Sequence, residues 1–140
     1  MLAIASDHNG FDLKEQIVRY FKDKLSIQDC GCFNKGEKVD YPDYAAIVCE
    51  TIFENQAKFG ILICKTGIGM SIAANRKEYI RAVLCTNTAM ANIARRKYNS
   101  NILVLASDTS NENDVIAIIE SFIATKFEGG KYARRLEKIH

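Results

Sequence analysis

The sequence predicts an α/β fold, a three-layer α/β/α sandwich around a five-stranded parallel sheet. Two observations carry that expectation. Short apolar runs alternate with longer stretches of helical periodicity, in the order β-α-β-α-β-α-β-α-β-α-α. Right-handed helical crossovers between parallel strands are the economical solution to such an alternation. The run Phe59-Gly60-Ile61-Leu62-Ile63-Cys64 is continuously apolar, as a strand covered on both faces should be.

The elements follow in order. Leu2-Ala3-Ile4-Ala5 reads as a first strand. Phe11 to Lys24 is helical, with Leu13, Ile17, Val18 and Phe21 on one face. Ser26 to Asp29 is a weak second strand. A second helix opens near Pro42, with Asp40 as its cap and Tyr44, Ile47, Val48, Thr51 and Ile52 at helical spacing. Phe59 to Cys64 is the third strand, and Gly67-Ile68-Gly69 bends the chain into a short helix over Met70 to Lys77. Ile80 to Cys85 is the fourth strand, Thr88 to Lys97 a helix, and Ile102 to Leu105 the fifth strand. Two helices close the chain, near Glu112 to Lys126 and Gly130 to Ile139. The whole pattern is Rossmann-like.

The 140 residues suit a single domain spanning 1–140. A domain of this size buries about two thirds of the surface its unfolded chain exposes, enough for a true core. With one proline and eight glycines there is no material for a disordered linker. A net charge of +2 is too mild to argue for nucleic acid. No apolar run approaches the ~18 residues of a membrane span. The opening MLAIASDHNG lacks the basic and apolar regions of a secretory signal. The five cysteines, an odd number, are therefore expected as free thiols in a reducing cytoplasm. Cys30-Gly-Cys32 lacks the spacing of a metal site, and no second ligand pair follows it. No metal and no cofactor are expected.

In open parallel sheets, ligands bind beyond the carboxyl ends of the strands. Three segments fall there: Ser6-Asp7-His8-Asn9-Gly10, Cys64-Lys65-Thr66-Gly67-Ile68-Gly69 and Cys85-Thr86-Asn87. The second says most. A glycine-rich turn from strand to helix exposes backbone N–H groups at the positive end of a helix, so an anion fits there. A thiol at the strand terminus faces the same cavity, and the amides favour its thiolate, which can act as a base. An isolated buried cysteine is ordinarily just a small hydrophobe. The Thr66-Gly67-x-Gly69 turn directly after Cys64 tips the reading toward chemistry.

Other loop types fail. The stretch lacks the GxxxxGK[ST] pattern of a Walker A loop. It follows the third strand rather than the first, and Ile72 occupies the last glycine position of a dinucleotide fingerprint. Met70 stands where a tyrosine phosphatase loop carries arginine. His8 is one of two histidines, the other being the terminal His140, and it follows the first strand at the ligand-facing end. A binding role is the better reading of it. Lys131 and Arg135, four apart on one helix face, can clamp a phosphate, whereas Arg134 reads as a solvated position.

Asp7-His8, Asp40-Tyr41-Pro42, the stretch from Ile61 to Asn75 built on Cys64-x-Thr66-Gly67-x-Gly69-x-Ser71-Ile72-Ala73-Ala74-Asn75, Ile80-Arg81-Ala82 and Phe127-Glu128-Gly129-Gly130 resemble the type B ribose-5-phosphate isomerases and galactose-6-phosphate isomerase subunits. The resemblance runs from about Ile4 to Ile139. It implies a metal-free, cofactor-free aldose–ketose isomerase of pentose phosphate metabolism. Such enzymes are homodimers or tetramers with the active site shared between subunits, so the C-terminal helix is expected to pack on a partner. Cys64 matches the base that forms a cis-enediolate. The segment Lys65 to Gly69, including Gly67, Ile68 and Gly69, matches the loop whose amides hold the oxyanion. Thr66 matches a residue that positions the sugar oxygens. Asp7 and His8 match substrate contacts, and Arg135 a phosphate-binding arginine.

The sequence departs from the family in four places. Lys97-Tyr98 stands where the ring-opening histidine and its following asparagine are usual, which makes Lys97 and Tyr98 candidates for that role, with Asn99 a third if the alignment slips by one. Lys65 replaces a glycine, Asp108 an arginine, and Lys131 a second phosphate arginine. Two function classes follow: an isomerase of a phosphorylated sugar, most simply ribose-5-phosphate, or a non-catalytic or heteromeric partner subunit of the galactose-6-phosphate type. A flavodoxin-like mononucleotide binder is a third, resting on fold analogy alone.

Overall fold

A computed structural model describes residues 1–139; His140 lies outside the described residues. The elements are β1 (Leu2–Ser6), α1 (Phe11–Phe21), β2 (Ile27–Asp29), α2 (Tyr41–Phe53), β3 (Phe59–Cys64), α3 (Ile68–Asn75), β4 (Ala82–Leu84), α4 (Thr88–Tyr98), β5 (Ile102–Ala106), α5 (Glu112–Ala124) and α6 (Lys131–Leu136). All strand pairs are parallel, in the order β2-β1-β3-β5-β4. The expected three-layer sandwich is the fold.

Side chains alternate across the sheet. Leu2, Ile4, Ile61, Ile63, Leu103 and Leu105 point to one face, where they pack with Leu13 and Ile17 of α1, Ala91 and Ala94 of α4 and Ile119 and Phe122 of α5. Ala3, Ala5, Leu62, Cys64, Ile102 and Val104 point to the other, against Ala45 and Val48 of α2 and Met70 and Ala74 of α3. Both faces are covered, which is why β1, β3 and β5 are buried at every residue. α2 lies close on β3: a Cβ at Gly60 would sit 2.5 Å from Val48 Cγ1.

The chain leaves β1 toward one edge of the sheet and β3 toward the other. That reversal splays the connections apart and opens a crevice at the carboxyl ends of β1 and β3.

Several boundaries differ from expectation. The fourth strand is only Ala82–Leu84, because the Arg81 N–H bonds the Asn101 side chain at 2.8 Å rather than a neighbouring strand. α1 stops at Phe21, whose carbonyl accepts the N–H of both Lys24 and Leu25. Asp40 is the N-cap residue of α2, but its side chain makes no capping bond. α6 is short, since Gly130 is not helical (φ 54°, ψ −126°) and the chain beyond Leu136 closes in single turns. No helix among the described residues is long and apolar enough to cross a membrane.

Candidate active site

β1 ends at Ser6, and Asp7-His8-Asn9-Gly10 turns straight into α1. The Asp7 carboxylate is buried, and its Oδ1 accepts the Gly10 N–H at 3.0 Å. This carboxylate closes the turn that presents His8. Gly10 is needed there: a Cβ would come within 2.8 Å of the Ile63 carbonyl oxygen on the neighbouring strand. His8 is half-buried, and the Val39 N–H donates to its Nδ1 at 3.1 Å. Nδ1 also lies 3.2 Å from the Val39 carbonyl oxygen, so the Val39 backbone holds this side of the ring in either tautomer. Nε2 has no protein partner among the described residues, which leaves it available to a ligand.

Cys64 ends β3. It is 4% exposed and packs with Ala5, Leu62 and Met70 under the loop that follows. Its carbonyl accepts the Ser107 N–H at 2.9 Å, fixing the strand terminus against β5. Lys65 and Thr66 then emerge into solvent. Thr66 Oγ1 accepts the Ile68 N–H at 3.2 Å. Gly67 is the N-cap of α3 at φ 76°, and a Cβ on it would meet Leu84 Cδ1 at 2.5 Å. The first N–H groups of a helix have no intrahelical acceptor, and those of Thr66 and Gly67 have no backbone acceptor among the described residues. The result is a ring of N–H donors at the positive end of α3, directly after the Cys64 thiol. Such a collar stabilises negative charge developing on a bound oxygen.

Cys30, Cys49 and Cys85 are poor candidates for this chemistry. Burial pushes the Cys49 and Cys85 thiols up to about 11, and pushes Cys30 upward as well. Among the described residues, no three His, Cys, Asp or Glu side chains converge as a metal-ligand set.

Tyr41 is a neighbour of the loop that sequence reasoning left out of the site. Its ring lies against Gly69, where a Cβ would be 2.8 Å from Cζ. The signal was present in Asp40-Tyr41-Pro42, a helix start at the carboxyl end of the sheet. Asp108 also comes to this rim, its N–H donating to the Lys65 carbonyl at 3.1 Å.

The structure thus brings Asp7, His8, Cys64, Lys65, Thr66, Gly67, Ile68 and Gly69 to one rim. It puts Lys97, Tyr98, Asn99, Lys131 and Arg135 elsewhere. α4 runs back along the sheet, and its cap Asn99 precedes Ile102, which pairs with Gly60 and Ala82 at the amino ends of β3 and β4. Cys64 lies four residues further along β3 than Gly60, on the order of 13 Å. Lys131 and Arg135 on α6 flank Tyr132 beside Lys97. A cleft of about 620 Å³ lined by Asn75, Tyr79, Arg81 and Leu136 also lies at the amino ends. Concavity and chemistry do not coincide within one chain, and it is the chemistry at the carboxyl ends that defines the candidate site.

The chain belongs to the Ribose/Galactose Isomerase family, which its sequence matches over residues 2–139. It is an aldose–ketose isomerase of phosphorylated sugars, similar to the type B ribose-5-phosphate isomerases. It is 52% identical over 139 residues to a Rickettsia bellii protein named for sugar phosphate isomerase activity without a stated sugar, covering 99% of this chain and 96% of that one. It is 34% identical to ribose-5-phosphate isomerase B of Escherichia coli, covering 99% and 93%. The solved ribose 5-phosphate isomerase of Thermotoga maritima superposes with a TM-score of 0.96 at 47% identity, covering 99% of this chain and 95% of that one.

Proposed function

We propose that this chain interconverts ribose-5-phosphate and ribulose-5-phosphate with Cys64 as the base. The observation that carries the proposal is the Cys64 thiol at the end of β3, immediately before the free N–H groups of Thr66 and Gly67 at the start of α3. The Cys64 thiolate takes the proton from carbon 2 of the open-chain aldose. The C–H electron pair becomes the carbon–carbon double bond of a cis-enediolate, and the carbonyl π pair moves onto oxygen. The collar N–H groups and Thr66 hold that oxygen charge. The proton on O2 passes to O1, the O2 electron pair forms the carbon 2 carbonyl as the double-bond pair takes the proton back from the thiol at carbon 1, and the ketose and the thiolate result. His8 meets a sugar or phosphate oxygen through Nε2, and Asp7 keeps its turn in place.

The remaining groups act on a neighbouring copy. Lys97, Tyr98 and Asn99 with Lys131 and Arg135 lie too far from their own Cys64 to touch one small sugar, and a two-fold dimer carries them to the partner's site. Ile68 and Ile72 on α3 are 59% and 63% exposed, apolar surface that a second copy covers. In this reading residues 1–140 act as one domain, α6 packs on the partner, and Lys97 or Tyr98 assists ring opening. The five free cysteines suit a reducing cytoplasm.

The test is the rate of ribose-5-phosphate isomerisation by wild type and Cys64→Ala. A positioned base contributes about 100- to 10,000-fold, so a loss of that size is expected. Equal rates exclude Cys64 as the base. One observation favours a second reading, a heteromeric subunit: the acidic Asp108 at the rim beside Lys65. Sedimentation of the purified chain separates the two, since a monomer inactive on every pentose and hexose phosphate supports the heteromer.

A further inference from the structure

Arg95 carries a charge into the core. It is 6% exposed, and its guanidinium lies 4.5 Å from the centroid of the Phe59 ring and 5.7 Å from that of Phe122. Those two rings pack edge to face where β3 begins. No carboxylate lies within 4.0 Å of Arg95 among the described residues; the ion pairs there belong to Lys14, Lys35 and Arg96. Burial pulls its pKa down, and the charge of nearby Arg81 pulls the same way. Its Nε is buried without a hydrogen-bond partner. A buried charge with no counter-charge is costly, so the bonds that Arg95 does make have to account for it.

Those bonds all go to one turn. Arg95 Nη1 donates to the Ser100 carbonyl at 2.6 Å and to Asn99 Oδ1 at 3.1 Å. Arg81 Nε donates to the Asn99 carbonyl at 2.9 Å, and the Asn99 N–H donates back to the Arg95 carbonyl at 3.2 Å. Asn99 is the C-cap of α4 and is left-handed, with φ 48°. The negative end of the helix dipole falls at the same point and offsets part of the charge. The cap is therefore gripped at its side chain, its carbonyl and its N–H. Closing the turn does not by itself need a sealed guanidinium, because the N–H groups of Asn99 and Ser100 already bond the Arg95 and Ala94 carbonyls. Immediately before the cap stand Lys97, half-buried, and Tyr98, 54% exposed.

We infer that Arg95 is a positioning residue for the reaction: from the core it locks the last turn of α4, so that Lys97 and Tyr98 stand at a fixed place for the site of a neighbouring copy. This deepens the proposed reading and rests on it for the two-chain site. Asn99, whose Oδ1 is taken by Arg95, is the cap of the turn, and Lys97 and Tyr98 are the groups the turn presents.

Arg95→Met keeps an apolar stem against Phe59 and removes the donors. It is expected to lower kcat about tenfold or more and to leave KM within about threefold, because a small displacement of a reacting group costs rate. Urea melts check that the variant is folded. Arg95→Lys, which keeps the charge and loses the planar fork, stands in if it is not. The deciding measurement is a hybrid: Arg95→Met and Cys64→Ala refolded together in equal amounts. In a mixed dimer the intact Cys64 of the Arg95 variant meets a native α4 turn from the other chain. Activity is expected to reach about one quarter of wild type, against about one twentieth for the average of the parents. A residue that only stabilised its own chain would give no such recovery. Near-wild-type kcat in a folded Arg95 variant, or a mixture no more active than the average of its parents, overturns the inference. Cys64→Ala with Arg135→Ala is run beside it: recovery there but not here refutes the role of Arg95 alone, and recovery in neither refutes the two-chain site with it. If wild type turns over another sugar phosphate in place of ribose-5-phosphate, the proposed substrate is refuted and the same comparison with that sugar decides the role of Arg95.

Discussion

Lys14 is fully buried, yet its ammonium is bonded to Asp29 at 2.8 Å and Glu15 at 2.7 Å. Burial alone pulls its pKa down, but the bonds to Asp29 and Glu15 outweigh it and raise the value above 10.5. A group raised in the folded state stabilises fully below its unfolded pKa, about 10.4 for lysine, and loses that contribution as pH climbs through the folded value. Asp29 also accepts the Gly31 N–H at 3.0 Å, and the Gly31 carbonyl accepts from Ser6, the residue before Asp7. Lys14 therefore braces the turn that presents His8. Lys14→Met is expected to cost about 2 kcal/mol, below the usual figure for a broken buried pair because both carboxylates keep contact with water. Urea unfolding from pH 6 to 11 checks this: the deficit is flat to about pH 10 and shrinks above it. The sequence did not announce this ion pair, because its partners are 15 residues apart and one of them sits on the weakest strand. His8 was legible as the lone internal histidine after β1; the orientation of its ring was not, since the Val39 backbone that holds it comes from a loop 31 residues away.

At the scale of elements, the loop between β3 and α3 depends on one backbone conformation. Gly67 at φ 76° is sterically disfavoured for any residue with a Cβ, and Leu84 closes the space beside it. Gly67→Ala is expected to cost about 1–2 kcal/mol of stability. It should cost more in turnover, ~10-fold or greater, because in the proposed mechanism the displaced N–H is one of the donors to the enediolate oxygen. Paired urea melts and steady-state rates compare the two. This loop was readable in advance because glycine positions, a strand terminus and a helix start coincide within six residues. The limits of β4 and α6 were not. Ile80 and Arg81 have strand-like character, but the side chain of Asn101 captures the Arg81 N–H, and the backbone of Gly130 cannot begin a helix. Those are contacts and torsions, which hydrophobic periodicity does not record.

At the scale of the whole molecule, the separation of Cys64 from the Lys97–Lys131–Arg135 cluster is the governing fact. Parallel topology enforces it: every strand ends at one rim, and every helix returns its carboxyl terminus to the other. Loops alone do not bring α4's last turn to the rim of β3, so the proposed site, with Lys97, Lys131 and Arg135 in it, takes two chains. The proposed dimer also predicts that the assembly and the activity are lost together on dilution. Hybrid formation tests this most directly. Cys64→Ala and Arg135→Ala, each nearly inactive alone, are co-expressed or refolded together in equal amounts. Random pairing makes half the dimers mixed, each with one intact site, so activity is expected to recover to about one quarter of wild type. A mixture that forms hybrid dimers and stays as inactive as its parents contradicts the shared site.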